Sequence, residues 1–144
     1  MEMNLKNKPL ANRSLSFAAG VLFVCLSIVI MGYGAAVAVP EKMLLPLMQL
    51  SPTLALSLTS FITIGLPLTL SFYLLAIIFR RLFNMVNSSF LIAPFILFMV
   101  YGLATIAHNN DDMWYNLALT LPKLLPVLLC AIFLARQNVS SNKT

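Results

Sequence analysis

Four long apolar segments alternate with short polar segments along this chain. The apolar segments cover about residues 15–39, 54–79, 90–107 and 117–135. Each is close to or above the length that a helix needs to cross about 30 Å of hydrocarbon. Unpaired backbone groups are costly in lipid, so segments of this kind span it as helices. We therefore predict an all-α membrane protein, an antiparallel bundle of four transmembrane helices.

Almost all basic residues outside the apolar segments lie at alternate ends of them. They are Lys6, Lys8 and Arg13 before the first segment, Arg80 and Arg81 after the second, and Arg136 and Lys143 after the fourth, and the exception is Lys42 after the first. Lys and Arg beside spans are retained on the cytoplasmic side, so we predict that both termini are cytoplasmic. On this prediction the tails 1–14 and 136–144 flank a single membrane domain, 15–135. Trp114 and Tyr115, after the third segment, then fit the aromatic belt at the outer interface.

The composition agrees with a membrane protein. Hydrophobic residues make up 60% of the 144 residues and charged residues only 9%, against about 25% charged residues in soluble domains. The net charge is +5, and most basic residues are divided among three short segments, which predicts contact with anionic lipid rather than with nucleic acid. The lipid bilayer is the expected environment, and the size and charge bias favour a bacterial inner membrane.

The first segment has a second interpretation, a cleaved signal peptide. Basic residues, an apolar stretch and Ala36-Val37-Ala38 resemble the three regions of such a peptide. The stretch exceeds the usual length of about 7 to 15 residues, which favours its retention as a span.

Prolines and glycines mark irregular positions. Residues 40–53 are too short to span and too apolar for an ordinary loop, so we expect an interfacial or partly re-entrant segment. A kink is expected between Thr63 and Pro67, with nearby hydroxyls bonded to the carbonyls that proline leaves without donors. Pro122 and Pro126 should weaken the fourth helix. The short connector 80–89 predicts that the second and third spans form a hairpin.

Two features are candidate contacts. In the first span small residues have the spacing of close helix packing, either against the chain's own helices or against a partner: they are Gly32, Ala36, Gly34 and Ala38. Lys123 is the one charge inside a predicted span. It either extends toward Asp111, Asp112 or Glu41 at the outer boundary, or pairs with a partner's carboxylate or another anionic group.

The sequence contains no motif for a specific chemistry, and we predict no catalytic, cofactor or metal site. His108, Asp111 and Asp112 are typical of a solvated turn. Small multidrug transporters have an acidic residue in the first span, which is missing between Leu15 and Val39. Four-span glutathione and eicosanoid enzymes have clusters of polar residues at their helix ends. The only comparable residues in this chain are Arg80, Arg81 and Asn84. A transporter subunit or an enzyme is therefore disfavoured.

The prediction is a non-enzymatic accessory protein that binds another membrane protein, or a second copy of itself, through its spans. The alternative is immunity against a pore-forming bacteriocin. In span number, orientation and length, and in the basic loop at Arg80 and Arg81, the chain resembles the four-span immunity proteins that protect against pore-forming colicins. That resemblance implies toxin contacts on the outer segments 41–53 and 108–116.

Overall fold

The structure, a computed structural model, describes residues 8–37, 39–83, 87–108 and 112–141. It contains α1 (Lys8–Ala36), α2 (Glu41–Leu50), α3 (Pro52–Ser60), a π-helical turn (Phe61–Gly65), α4 (Leu66–Phe83), α5 (Ser88–His108) and α6 (Met113–Ser141). Within these residues four helical stretches are long and apolar enough to cross a membrane: Ala11–Ala36, Pro52–Leu82, Ser89–His108 and Met113–Arg136. The prediction of an all-α protein with four spans is confirmed.

Polar side chains define where three of the helices begin. Ser51 precedes α3, and its hydroxyl accepts a hydrogen bond of 3.4 Å from the N–H of Leu54. Asn87 precedes α5, and its side-chain oxygen accepts from the N–H of Ser89 at 3.1 Å. Asp112 does the same for α6, accepting from the first-turn N–H groups of Trp114 and Tyr115. These contacts satisfy donors that have no partner inside a helix. Because Asp112 caps it, α6 begins at Met113. The sequence predicts a later start for this span, at Leu117.

The four spans form a ring in the order α1, α5, α6 and α3–α4. The neighbours α1 and α5 run parallel, since Arg13 lies over the Phe90 ring and the N–H of Asn87 donates to the Ser16 hydroxyl at 3.0 Å. The second and fourth spans are likewise parallel, because Ser57 contacts Ala118 and Gly65 lies against Pro122. Each parallel pair packs antiparallel against the other.

The predicted hairpin of the second and third spans is wrong. In the described residues α4 and α5 have no extensive contact and lie at opposite corners of the ring. The connector from residue 83 to residue 88 can extend over about 18 Å, and the diagonal of four helices packed about 9 Å apart is about 13 Å. A short connector therefore restricts the second and third spans to nearby positions without making them neighbours.

Aromatic rings fill the centre of the bundle. The side chains of Phe23, Phe72 and Phe95 are fully buried, and the Phe23 ring lies 5.1 Å from the Phe72 ring and 5.0 Å from the Phe95 ring. These three residues come from α1, α4 and α5, so their contacts fix three spans relative to one another. Val127 and Ala131 of α6 close the same cluster.

The second span contains the irregularity that the sequence predicts, in the form of the π-helical turn directly before Pro67. The hydroxyls of Thr59, Thr63 and Thr69 each donate to the carbonyl four residues earlier, at 2.8, 2.9 and 2.7 Å. Such bonds keep the polar groups of an irregular helix paired within lipid.

Candidate functional site

Lys123 lines a cleft of about 180 Å³ between α5, α6 and the last turns of α1. Met31, Met99 and Gly102 are among the residues that form its apolar walls, and Thr120 lies one turn from Lys123. The Thr120 hydroxyl donates to the Asn116 carbonyl at 2.7 Å, so it is bonded within α6. Lys123 is thus the ionisable group on the lining of this cleft.

The carboxylate of Asp112 does not reach Lys123. Asp112 precedes the first turn of α6 and accepts two backbone hydrogen bonds there, whereas Lys123 lies eleven residues further along the chain, about 16 Å along the helix axis. Within the described ranges Lys123 has no ion pair or hydrogen bond. Asp111 and the side chain of Glu41 lie outside the described residues.

Lys123 lies nine residues after Trp114, about 13 Å along the helix. Its distance from the end of the bundle is shorter than this. Gly102, on the opposite wall of the cleft, is six residues from the end of α5 at His108, which is about 9 Å. Met31 is five residues from the end of α1 at Ala36, about 8 Å. Side chains on a helix tilt toward its N-terminus, so the lysine stem is directed toward this end of the bundle. α6 extends beyond α1 and α5 here, which the sequence alone does not reveal.

The candidate small residues of α1 face in opposite directions. Gly34 is buried, and a Cβ there would lie 2.5 Å from Ile64 Cγ1 and 2.8 Å from the Thr63 carbonyl oxygen. Gly34 therefore allows the π-helical turn to approach α1. Gly32 and Ala36 are exposed, and a Cβ at Gly32 would meet no atom within 4 Å. Ala38 lies outside the described residues.

Two further glycines mark close helix contacts that the sequence analysis did not single out. A Cβ at Gly20 would overlap the Leu91 carbonyl oxygen and lie 2.9 Å from the Pro94 ring. A Cβ at Gly65 would lie 2.6 Å from the Pro122 carbonyl oxygen. The Pro122 carbonyl is the group that Pro126 deprives of its α-helical donor, and Pro67 does the same to the Thr63 carbonyl opposite Gly34. Gly34 and Gly65 thus each lie against a carbonyl that a proline of the neighbouring helix leaves without its α-helical donor.

Ser57 forms a bond between helices that sequence reasoning missed. Its hydroxyl donates to the Ala118 carbonyl at 2.8 Å, and Ala118 is the residue whose α-helical donor would be residue 122. Because Pro122 has no N–H, a side chain of α3 supplies the donor that α6 lacks. The proline was visible in the sequence, but the partner depended on which helices are neighbours.

The predicted topology anchors lie at the two ends of the bundle. Arg80, Arg81 and Arg136 are exposed where the second and fourth spans finish. Trp114 and Tyr115 are exposed in the first turn of α6 at the opposite end. The described residues contain no cluster of three or more His, Cys, Asp or Glu side chains that could hold a metal ion.

Fold and span pattern define a small polytopic membrane protein with four apolar helices. Comparison with protein-family models, with curated proteins and with solved structures found no match. The resemblance to colicin immunity proteins therefore remains a prediction from layout.

Proposed function

We propose that this protein is a non-enzymatic accessory protein that binds another membrane protein, or a second copy of itself, through its first span. On this proposal it resides in the bacterial inner membrane with both termini in the cytoplasm. The observation that carries the proposal is the outward position of Gly32, on the side of α1 opposite the buried Gly34.

Gly32 has no packing role within the described part of the chain. Glycine inside a helix costs roughly 1 kcal/mol relative to alanine, and Gly20 and Gly34 offset that cost by admitting α5 and the π-helical turn. Among the described residues, no atom lies within 4 Å of the place where a Cβ at Gly32 would stand. A missing side chain on a lipid-facing surface favours close approach by another helix backbone.

Other small residues extend this surface along α1. Ala18, Cys25, Gly32 and Ala36 are all exposed, and their spacing of seven, seven and four residues places them on one side of a helix. We call these four residues the small-residue face. It spans most of α1, as a helix–helix contact in a membrane requires, because packing between backbones supplies the stabilisation there.

The test is purification of the tagged protein from its native membrane in mild detergent, with mass spectrometry of the proteins that accompany it. A stoichiometric membrane partner that is lost with Gly32→Leu supports the proposal. Ala104→Leu is the matched control, since Ala104 is an exposed small residue of α5. Retention of the partner by Gly32→Leu would remove the small-residue face from the interaction.

A second copy as the partner requires its own readout. Cys25 belongs to the small-residue face and is exposed, and the chain's other cysteine is Cys130. In a Cys130→Ser variant, a short bismaleimide should link two copies through Cys25 if the face is a homodimer contact. Absence of both the cross-link and a stoichiometric partner contradicts the proposed function.

A further inference from the structure

We propose that the cleft containing Lys123 binds an anionic phospholipid, with the lipid phosphate at the lysine amine and part of an acyl chain along α5. This site is separate from the small-residue face and does not depend on the proposed function.

Charge is the first argument. A cation on an apolar wall inside a span is costly unless an anion accompanies it. Within the described ranges no carboxylate pairs with Lys123, and Asp112 is occupied by the backbone of its own helix. The surrounding bilayer supplies anions in the form of lipid phosphates.

Size is the second argument. An engineered cavity of about 150 Å³ accepts a molecule the size of benzene, so a cleft of about 180 Å³ holds a short length of acyl chain. A helix is about 10 Å across and does not enter it. Gly102 widens the cleft, since a Cβ at this position would meet no atom within 4 Å. Met31, Phe98 and Met99 form an apolar wall against which the acyl chain can lie.

Depth is the third argument. The cleft runs along α5 from Phe98, near the middle of that span, to Ile106, two residues before the end of the helix, and the lysine stem tilts toward that end. A lysine amine that extends outward in this way reaches the level at which lipid phosphates lie. A lysine at the centre of the bilayer would not.

The test uses the full chain in phosphatidylcholine vesicles that contain a minor fraction of photoreactive lipid, either phosphatidylglycerol or phosphatidylcholine with a diazirine in the acyl chain. Mass spectrometry then measures labelling of residues 98–106. We expect phosphatidylglycerol to label this segment about fivefold more than phosphatidylcholine, the factor that one basic residue supplies near anionic lipid. Labelling of residues 66–74 of α4, a stretch of span with an exposed side and no basic residue, is the internal reference.

Four variants assign the labelling to the cleft. Lys123→Met should abolish the preference and Lys123→Arg should retain it. Gly102→Leu should block the cleft while leaving the fold intact, because the added carbon atoms enter open space. Ala104→Leu, on the exposed side of the same helix, should label like the unaltered protein.

Three outcomes overturn the proposal. The first is equal labelling by the two lipids, which would leave a carboxylate from a partner helix as the occupant to test. The second is a preference that survives Lys123→Met. The third is displacement of the labelled lipid by inorganic phosphate, which would assign the site to a free anion.

Discussion

The hydrogen bond from Ser57 to the Ala118 carbonyl should stabilise the protein only because residue 122 is proline. Ser57→Ala removes the hydroxyl and leaves the Ala118 carbonyl without either donor. Pro122→Ala restores a backbone N–H that can bond to that carbonyl within α6. The two substitutions should therefore be strongly non-additive.

Hydrogen bonds between membrane helices contribute about 0.6 kcal/mol on average and up to about 1.7 kcal/mol. The Ala118 carbonyl has no α-helical donor of its own, and the bond from Ser57 has the usual O–H···O distance of 2.8 Å, so we expect Ser57→Ala to cost about 1.5 kcal/mol. In the Pro122→Ala background the same change should cost about 0.5 kcal/mol. The coupling energy is then about 1 kcal/mol, about a fivefold change in the unfolding equilibrium.

The assay is reversible unfolding of the purified protein in mixed micelles by increasing sodium dodecyl sulfate, followed by circular dichroism. Thr105→Val is the control, because the Thr105 hydroxyl donates to the Tyr101 carbonyl on the exposed side of α5 and no proline interrupts that turn. It should cost less than about 0.5 kcal/mol. The reasoning is refuted if Ser57→Ala lowers the free energy of unfolding by the same amount in the unaltered protein and in the Pro122→Ala variant.

Two other predictions follow from the glycines and from the charge pattern. Gly34→Ala should lower the free energy of unfolding by about 1 to 3 kcal/mol, the cost of overpacking, because the new Cβ meets Ile64 and the Thr63 carbonyl. Gly102→Ala should be neutral or raise stability by up to about 1 kcal/mol, and the reverse order in detergent unfolding would contradict the placement of α1 against the π-helical turn. Green fluorescent protein fused to the C-terminus should fluoresce, and alkaline phosphatase inserted between residues 109 and 111 should be active. An active phosphatase at the C-terminus would contradict the predicted orientation.

The sequence allowed prediction of features that depend on chemistry local to one helix. The spans followed from apolar length, and the irregular part of the second span followed from Pro67. Hydroxyls of that span do bond within their own helix. Their acceptors are the carbonyls of Ala55, Thr59 and Gly65, however, and not the Thr63 carbonyl that Pro67 leaves without its α-helical donor.

The arrangement of the spans could not be predicted in the same way. Apolar residues cover every side of these helices, because lipid accepts the same side chains as the bundle interior. Hydropathy therefore did not show that Gly34 faces inward while Gly32 faces outward. It also did not show that the second and third spans lie on a diagonal.

By itself, the sequence determined that this protein is a four-span helical membrane protein, because the cost of unpaired backbone in lipid leaves a long apolar segment no alternative to a helix. Tertiary structure alone decided which helices are neighbours, since that choice depends on where small residues admit a backbone and where a proline leaves a carbonyl to be paired. The same choice decided the surroundings of Lys123, placing it in an apolar cleft near the end of the bundle rather than beside Asp112.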